Sequence, residues 1–320
     1  MALFNANLLV RELRKASGLT QEQLAEGICS RQTITAIEKG TRKPDWFIFS
    51  NILKKLNVDP SQYYSDIASE DEIFILNSAK AVNKALAELN YDDLKVEINK
   101  MEQDDKFSKG LGLSVLISAK SVYPHPFNIK RIEADAQLAL EYSTKYIKMF
   151  RPDFEIEKIP SYFLSDNDIK AFGRLAAAYG GIEDFETSIK IRYMILENIE
   201  KNYAIDVGGN LGFVYIYTLG NLAIYLCSKV ERFEECIKLT DKGLSMFKGA
   251  DSNIVMYFRI LLCKAHSLMK LGQTQQGESE YKRCVMFAYA MGETASFDMN
   301  FEHLKKSFKD DFGYELNLDL

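Results

Sequence analysis

The chain has 320 residues, 47% of them apolar and only six of them proline, with a formal net charge of −5. That length holds a small domain and a larger one, and the composition argues for a well-packed, mostly helical protein. No apolar run reaches the roughly 18 residues of a membrane-spanning helix, and no signal-peptide pattern opens the chain, so a cytoplasmic protein without membrane contact is expected. The cysteines (Cys29, Cys227, Cys236, Cys263, Cys284) form no C-x-x-C pair and no metal-ligand spacing, and read as reduced thiols. The charge divides unevenly: residues 1–66 hold nine Lys/Arg against seven Asp/Glu, whereas the remainder holds 31 against 38. A slightly basic end on an acidic body is the asymmetry of a nucleic-acid binder, and so small an excess calls for two copies of the basic end.

In chain order, 7–16, 21–27, 31–39 and 45–56 read as helices, with a short one at 60–64 and a polar linker at 65–71. The second and third are joined by a tight turn. Thr20 can cap the second helix, whose apolar face is Leu24, Ala25 and Ile28. Ser30 caps the third, whose apolar face is Ile34 and Ile37, and Gly40 stops it. That arrangement is a helix-turn-helix, with a second helix short enough to lie in a DNA major groove.

Helical periodicity then continues without strand patterns: 70–89, 91–104, 109–122, 129–150, 165–179, 183–199, 211–229, 233–248, 253–271, 275–291 and 296–309. A weak repeat shows through. Phe185-Glu-Thr-Ser-Ile-Lys-Ile191 and Phe233-Glu-Glu-Cys-Ile-Lys-Leu239 share one phrase, each after a helix carrying Leu-Ala (Leu175-Ala176; Leu222-Ala223). The spacing is 48 residues, longer than the ~34 of a tetratricopeptide repeat, and a more diverged unit follows. Helix pairs of this kind stack into a right-handed α-superhelix with a concave inner face, and Phe185 and Phe233 are expected to pack between repeats. The expected fold is all-α: a helix-turn-helix domain at 1–66 and tetratricopeptide-like helix pairs at 67–320. The alternating, apolar tail 312–320 reads as a cap on the last repeat or a strip packed across a dimer.

Arg11-Glu-Leu-Arg14, Gly18-Leu-Thr20-Gln21, Leu24-Ala25, Thr33-Ile34, Ile37-Glu38-Lys39-Gly40, Pro44 and Leu53…Leu56-Asn-Val58 resemble the Cro/C1-type (Xre) helix-turn-helix family over about residues 5–66. The turn Gly27-Ile-Cys-Ser30 is one residue shorter than the commonest form. With the long helical remainder, the whole chain resembles the Rgg/PlcR/PrgX-like peptide-pheromone receptors of Gram-positive bacteria.

That resemblance implies partners and sites. Double-stranded DNA, a two-fold related operator, would be bound by a homodimer. Arg31 and Gln32 would face bases, since Arg reads guanine and Gln adenine bidentately, with Thr35 and Ala36 next on that face. Thr20 and Gln21 would present side chain and backbone N–H to a phosphate, and Thr33, Lys39, Arg42 and Lys43 are further phosphate candidates. Arg14 and Glu38 would face each other as a structural pair. In the helix pairs a short signalling peptide would be clamped through its backbone, the role inner-face Asn residues take in the pheromone receptors. Asn221, set among apolar residues, is the first candidate. Asn210, Arg174, Tyr217, Phe258 and Arg259 are the others, although the aromatic runs 213–217 and 257–258 must also supply core. No P-loop, G-x-G-x-x-G after a strand or G-x-S-x-G occurs, and His125, His266 and His303 are isolated. An enzyme is therefore not expected, and neither a cofactor nor a metal. Two other readings of the helix pairs stay open: a scaffold for a protein partner such as a phosphorelay component, or a small-molecule sensor.

Overall fold

A computed structural model describes residues 6–60, 70–88, 90–122, 133–202, 210–247, 254–291 and 301–317. Residues 61–69 of the expected short helix and linker and the last three residues of the tail lie outside them. The described chain is all helix, turn and loop, with no strand. It divides into two compact units, 1–203 and 204–320. Residues 1–66 therefore share a unit with the first helix pairs.

The first unit opens with α1 (Ala6–Ala16), α2 (Gln21–Ala25), α3 (Arg31–Glu38) and α4 (Trp46–Lys55). Local chemistry fixes each start. Thr20 caps α2 in a reciprocal box with Gln23, Ser30 caps α3 through the Thr33 amide, and Asp45 caps α4 through the Ile48 amide. One core holds the four together: Val10, Leu24, Ile34, Ile37, Phe49 and Leu53 are fully buried in it, each side chain contributing roughly 1.5–3 kcal/mol by leaving water.

The unit continues with α5 (Glu70–Ala87), α6 (Tyr91–Glu102), α7 (Gly110–Val122), α8 (Glu133–Phe150), α9 (Asp166–Gly181) and α10 (Phe185–Asn202). Two short 3₁₀ turns, Asp105–Phe107 and Ile156–Ser161, were not foreseen. The first closes tightly on α7: a Cβ on Gly112 would lie 1.9 Å from the Lys106 carbonyl oxygen. The second unit holds α11 (Asn210–Ser228), α12 (Phe233–Met246), α13 (Ile254–Lys270), α14 (Thr274–Met291) and α15 (Phe301–Phe312).

The repeated phrase has a physical meaning. Phe185 opens α10 and Phe233 opens α12. Three residues later a small side chain donates to the preceding helix: Ser188 Oγ to the Ala176 carbonyl at 2.6 Å, Cys236 Sγ to the Ala223 carbonyl at 3.6 Å. Each contact joins the two helices of a pair at the Ala of its Leu-Ala, so a small donor and a small acceptor residue recur together. Phe185 and Phe233 are half-buried, and the Phe233 ring lies 6.4 Å from that of His266 on α13. All five cysteines are free thiols, and burial pushes Cys29 up to about 11.

Candidate nucleic-acid interface

The α2–turn–α3 element is braced from behind by an ion-pair network. Arg14 of α1 meets Glu38 of α3 twice, Nε–Oε1 at 2.5 Å and Nη2–Oε2 at 3.0 Å. Gln21 Nε2 donates to the same carboxylate at 2.8 Å, and Gln21 Oε1 accepts from Thr35 Oγ1 at 2.9 Å. Burial pushes the Glu38 carboxyl up, but hydrogen bonds from Arg14 and Gln21 outweigh it and hold the group below the ordinary carboxylate range. The pair is thus the brace the resemblance implies. It also draws in Gln21 and Thr35, whose side chains serve α2–α3 geometry.

The outer face of α3 is different. Arg31 and Gln32, its first two residues, are exposed. Arg31 meets Glu22 at 3.0 Å, with both side chains about three-fifths exposed; such a surface pair is worth little and exchanges readily for a phosphate or base. Thr20 spends its hydroxyl on the α2 cap. Thr33 accepts from Arg42 Nη1 at 3.4 Å, and Lys39, Arg42 and Lys43 are exposed on the same stretch, while Ala36 is half-buried beside them. After Gly40, whose φ of +72° only glycine adopts freely, the chain folds back so that the Thr41 and Arg42 amides both donate to the Ala36 carbonyl. That return sets Arg42 near the start of α3.

Behind the interface lies a cluster the sequence did not reveal. Arg151, just past α8, is buried over the α2–α3 turn. It donates to Glu26 at 2.8 Å, to Asp168 at 3.1 and 3.3 Å and to the Phe163 carbonyl at 3.1 Å, and lies over the Tyr162 ring. Gly27, at φ +75°, leaves room for it: a Cβ there would be 2.6 Å from Arg151 Nη2. Lys55 reaches the Glu26 carbonyl at 2.7 Å, and Asn167 donates to Asn51. A lone Arg followed by Pro carries no sequence pattern by which this cluster could be found.

The candidates for peptide contact separate by burial. Asn221 is half-buried and donates to the Tyr217 carbonyl of its own helix at 3.0 Å. Tyr217 is 46% exposed and stacks with Phe213, 51% exposed, at 6.4 Å. Phe213, Tyr217 and Asn221 thus form one outward stripe at i, i+4, i+8. Phe258 is a correction: it is fully buried, stacked against Phe287 in the α13–α14–α15 core, where no ligand reaches it. Arg259 is half-buried on α13. Asn210 begins α11, and its side chain lies outside the described set. Arg174, in the first unit, donates to Ser118 and lines a cavity of about 440 Å³. Among the described residues no group of His, Cys, Asp and Glu could hold a metal ion, and no helix is long and apolar enough to cross a membrane.

Two capped helices set at a tight turn, braced by buried charge and presenting Arg and Gln at the start of the second, define a helix-turn-helix protein of the DNA-binding class. The Helix-turn-helix family model matches residues 10–63. Over 65 residues the chain is 43% identical to an uncharacterized HTH-type transcriptional regulator of Methanothermobacter thermautotrophicus, spanning 20% of this chain and 90% of that protein. The chain belongs to the helix-turn-helix-type transcriptional regulators. Its fold is also that of larger solved proteins. PlcR of Bacillus thuringiensis, in complex with the peptide PapR7 and DNA, is 16% identical with a TM-score of 0.52 over 97% of this chain and 99% of that one. The apo competence regulator ComR of Streptococcus vestibularis is 15% identical with a TM-score of 0.51 over 96% and 98%. The helix-turn-helix followed by helix pairs is therefore a shared all-α architecture over nearly the whole length.

Proposed function

We propose that this regulator is a cytoplasmic homodimer that binds a two-fold related DNA operator through residues 1–66 and a short signalling peptide through residues 67–320. The peptide alters DNA binding or activation by favouring one arrangement of the protein over another. On this reading Arg31 and Gln32 read bases, and Lys39, Arg42 and Lys43 hold phosphates. The observation that carries the peptide half is the outward stripe Phe213–Tyr217–Asn221. Two stacked aromatics about half exposed cost free energy in water, and an amide beside them can pair with an extended backbone. The fold shared with PlcR, solved with a peptide and DNA, supports both halves. No particular observation favours a protein-partner scaffold.

The test is the melting temperature of the purified protein against a pool of short hydrophobic peptides, since a ligand of the folded state raises it by mass action. A shift with at least one peptide, lost in Asn221→Ala and Tyr217→Ala, is expected. Intact sequence-selective DNA binding with no shift from any peptide would leave a regulator without a peptide signal. Absence of sequence-selective DNA binding would sink the reading at its first half.

A further inference from the structure

The second copy of the repeated phrase differs from the first in its chemistry. Where α10 has Ser188, α12 has Cys236; four residues after the Ala of Leu-Ala, where α9 has Gly180, α11 has Cys227. Ser188 makes the bond between paired helices with a hydroxyl, so that bond does not require sulfur. Cys236 Sγ lies 3.6 Å from the Ala223 carbonyl, the group that accepts the Cys227 amide in α11, and so packs against the turn that carries Cys227. The two sulfurs also share a third neighbour: Cys227 Sγ is 3.7 Å and Cys236 Sγ 3.9 Å from the Cys263 carbonyl oxygen of α13. Beside them, Ser267 Oγ is buried and finds no hydrogen-bond partner among the described residues. A thiolate at Cys227 supplies the missing acceptor. Hydrogen bonds from Cys236 and Cys263 hold the Cys227 thiol well below its ordinary range against the opposing effect of burial, and the same contact with burial pushes Cys236 and Cys263 up. One low thiol beside a protonated one is the arrangement of an attacking and a resolving cysteine.

We propose that Cys227 and Cys236 form a peroxide-oxidisable thiol pair, Cys227 attacking and Cys236 resolving, that closes a disulfide between α11 and α12. The Cys227 thiolate attacks one oxygen of hydrogen peroxide. The O–O bond breaks, Cys227 becomes a sulfenic acid, and the departing hydroxide takes a proton and leaves as water. The Cys236 sulfur then attacks the sulfenic sulfur. The S–S bond forms, the S–O bond breaks, and hydroxide leaves as water with the Cys236 proton. Two thiols and one peroxide give one disulfide and two waters, with two electrons passing from sulfur to peroxide. Both thiols are buried, which restricts the oxidant to a molecule near the size of water, as hydrogen peroxide is. This chemistry is independent of any signalling peptide.

The reduced full-length protein is treated with hydrogen peroxide or with glutathione disulfide, its remaining thiols are alkylated after denaturation, and tryptic peptides are read by mass spectrometry. Trypsin cuts after Lys229 and Arg232, so Cys227 and Cys236 fall on separate peptides. With peroxide, the expected result is loss of two of the five free thiols and a disulfide joining those two peptides. C227S and C236S are expected to abolish it, and C263S and C284S to leave it. Serine at 236 keeps the bond between the paired helices, as Ser188 does, so loss of reaction in C236S is not loss of folding. The ultraviolet thiolate band at neutral pH is expected in wild type and absent from C227S. Native protein is expected not to react with the bulkier glutathione disulfide. A disulfide between other cysteines, sulfinic acid in place of a disulfide, or no loss of thiols with peroxide overturns the pair. A thiolate band that persists in C227S overturns its attacking role, and equal reaction with both oxidants overturns the restriction to a small one.

Discussion

Lys55 shows how one residue can make the stability of the DNA-binding region depend on pH. Its ammonium is buried near Arg151 and bonded to the Glu26 carbonyl. Burial pushes its pKa down from 10.5 to about 8, against the opposing pull of Asp168. The folded state therefore disfavours the charged form, and between about pH 8 and 10.5 the unfolded chain binds more protons than the folded one. Stability from this group rises with pH across that window, by on the order of 3 kcal/mol when titration is complete. Chemical denaturation of wild type and Lys55→Met at pH 7.5 and 9.5 checks it. Wild type should gain on the variant at the higher pH, because thiols and phenols titrate in both proteins and cancel in the difference. Glu38 runs the opposite way: its depressed pKa contributes stability above the ordinary carboxylate range that is lost as pH falls through the folded value, so Glu38→Gln should be less stable at neutral pH and show a shallower acid limb. At the exposed face, Arg31→Ala and Gln32→Ala should leave the melting temperature unchanged. Each should cost about 1–3 kcal/mol of operator binding, confined to one base position, whereas Lys43→Ala should weaken all sequences alike and lower the salt slope by about one. Competition binding against operator variants at two salt concentrations separates the two roles.

At the scale of elements, helix spacing and caps were legible because they are local. Thr20 and Ser30 stand where capping chemistry demands them, and the apolar faces of α2 and α3 follow from a 3.6-residue period. The aromatic runs were not resolved, because period alone does not say which face meets the next helix. Phe213 and Phe258 have similar neighbours, yet one is half exposed and the other fully buried. The tight approach of a 3₁₀ turn to α7 was equally invisible, since nothing in Gly110-Leu-Gly112 separates a strained site from an ordinary glycine. Gly112→Ala tests that approach by its sign. In an open helix the change would stabilise by about 1 kcal/mol. Here the added methyl meets the Lys106 carbonyl, and a net loss of about 2 kcal/mol or more is expected from thermal denaturation.

At the scale of the molecule, the sequence carried the asymmetry of charge and the succession of helix pairs, because both are sums over many residues. It did not carry the connection between the α2–α3 turn and α8–α9, which rests on Arg151 meeting Glu26 across 125 residues. That contact matters because Gly27, Glu26 and Lys55 fix the turn from which α3 projects. The Arg151 guanidinium is held by two carboxylates and a carbonyl in a buried setting, so removing it leaves Asp168 without its counter-charge. Breaking a buried pair of this kind costs about 3–5 kcal/mol. Arg151→Gln should therefore lower stability by an amount of that order, and Glu26→Gln, whose own side chain is one-third exposed, by less. The informative quantity is the coupling. If the head is positioned through this contact, the double variant should lose at least about 1 kcal/mol less than the sum of the singles. Any effector bound to the helix pairs should also change DNA affinity less in Arg151→Gln than in wild type, while each ligand still binds alone. Additive losses with unchanged effector response would show that the contact only stabilises the first unit. The signal would then have to reach α3 by way of α4, whose last turn lies at Lys54 and Lys55.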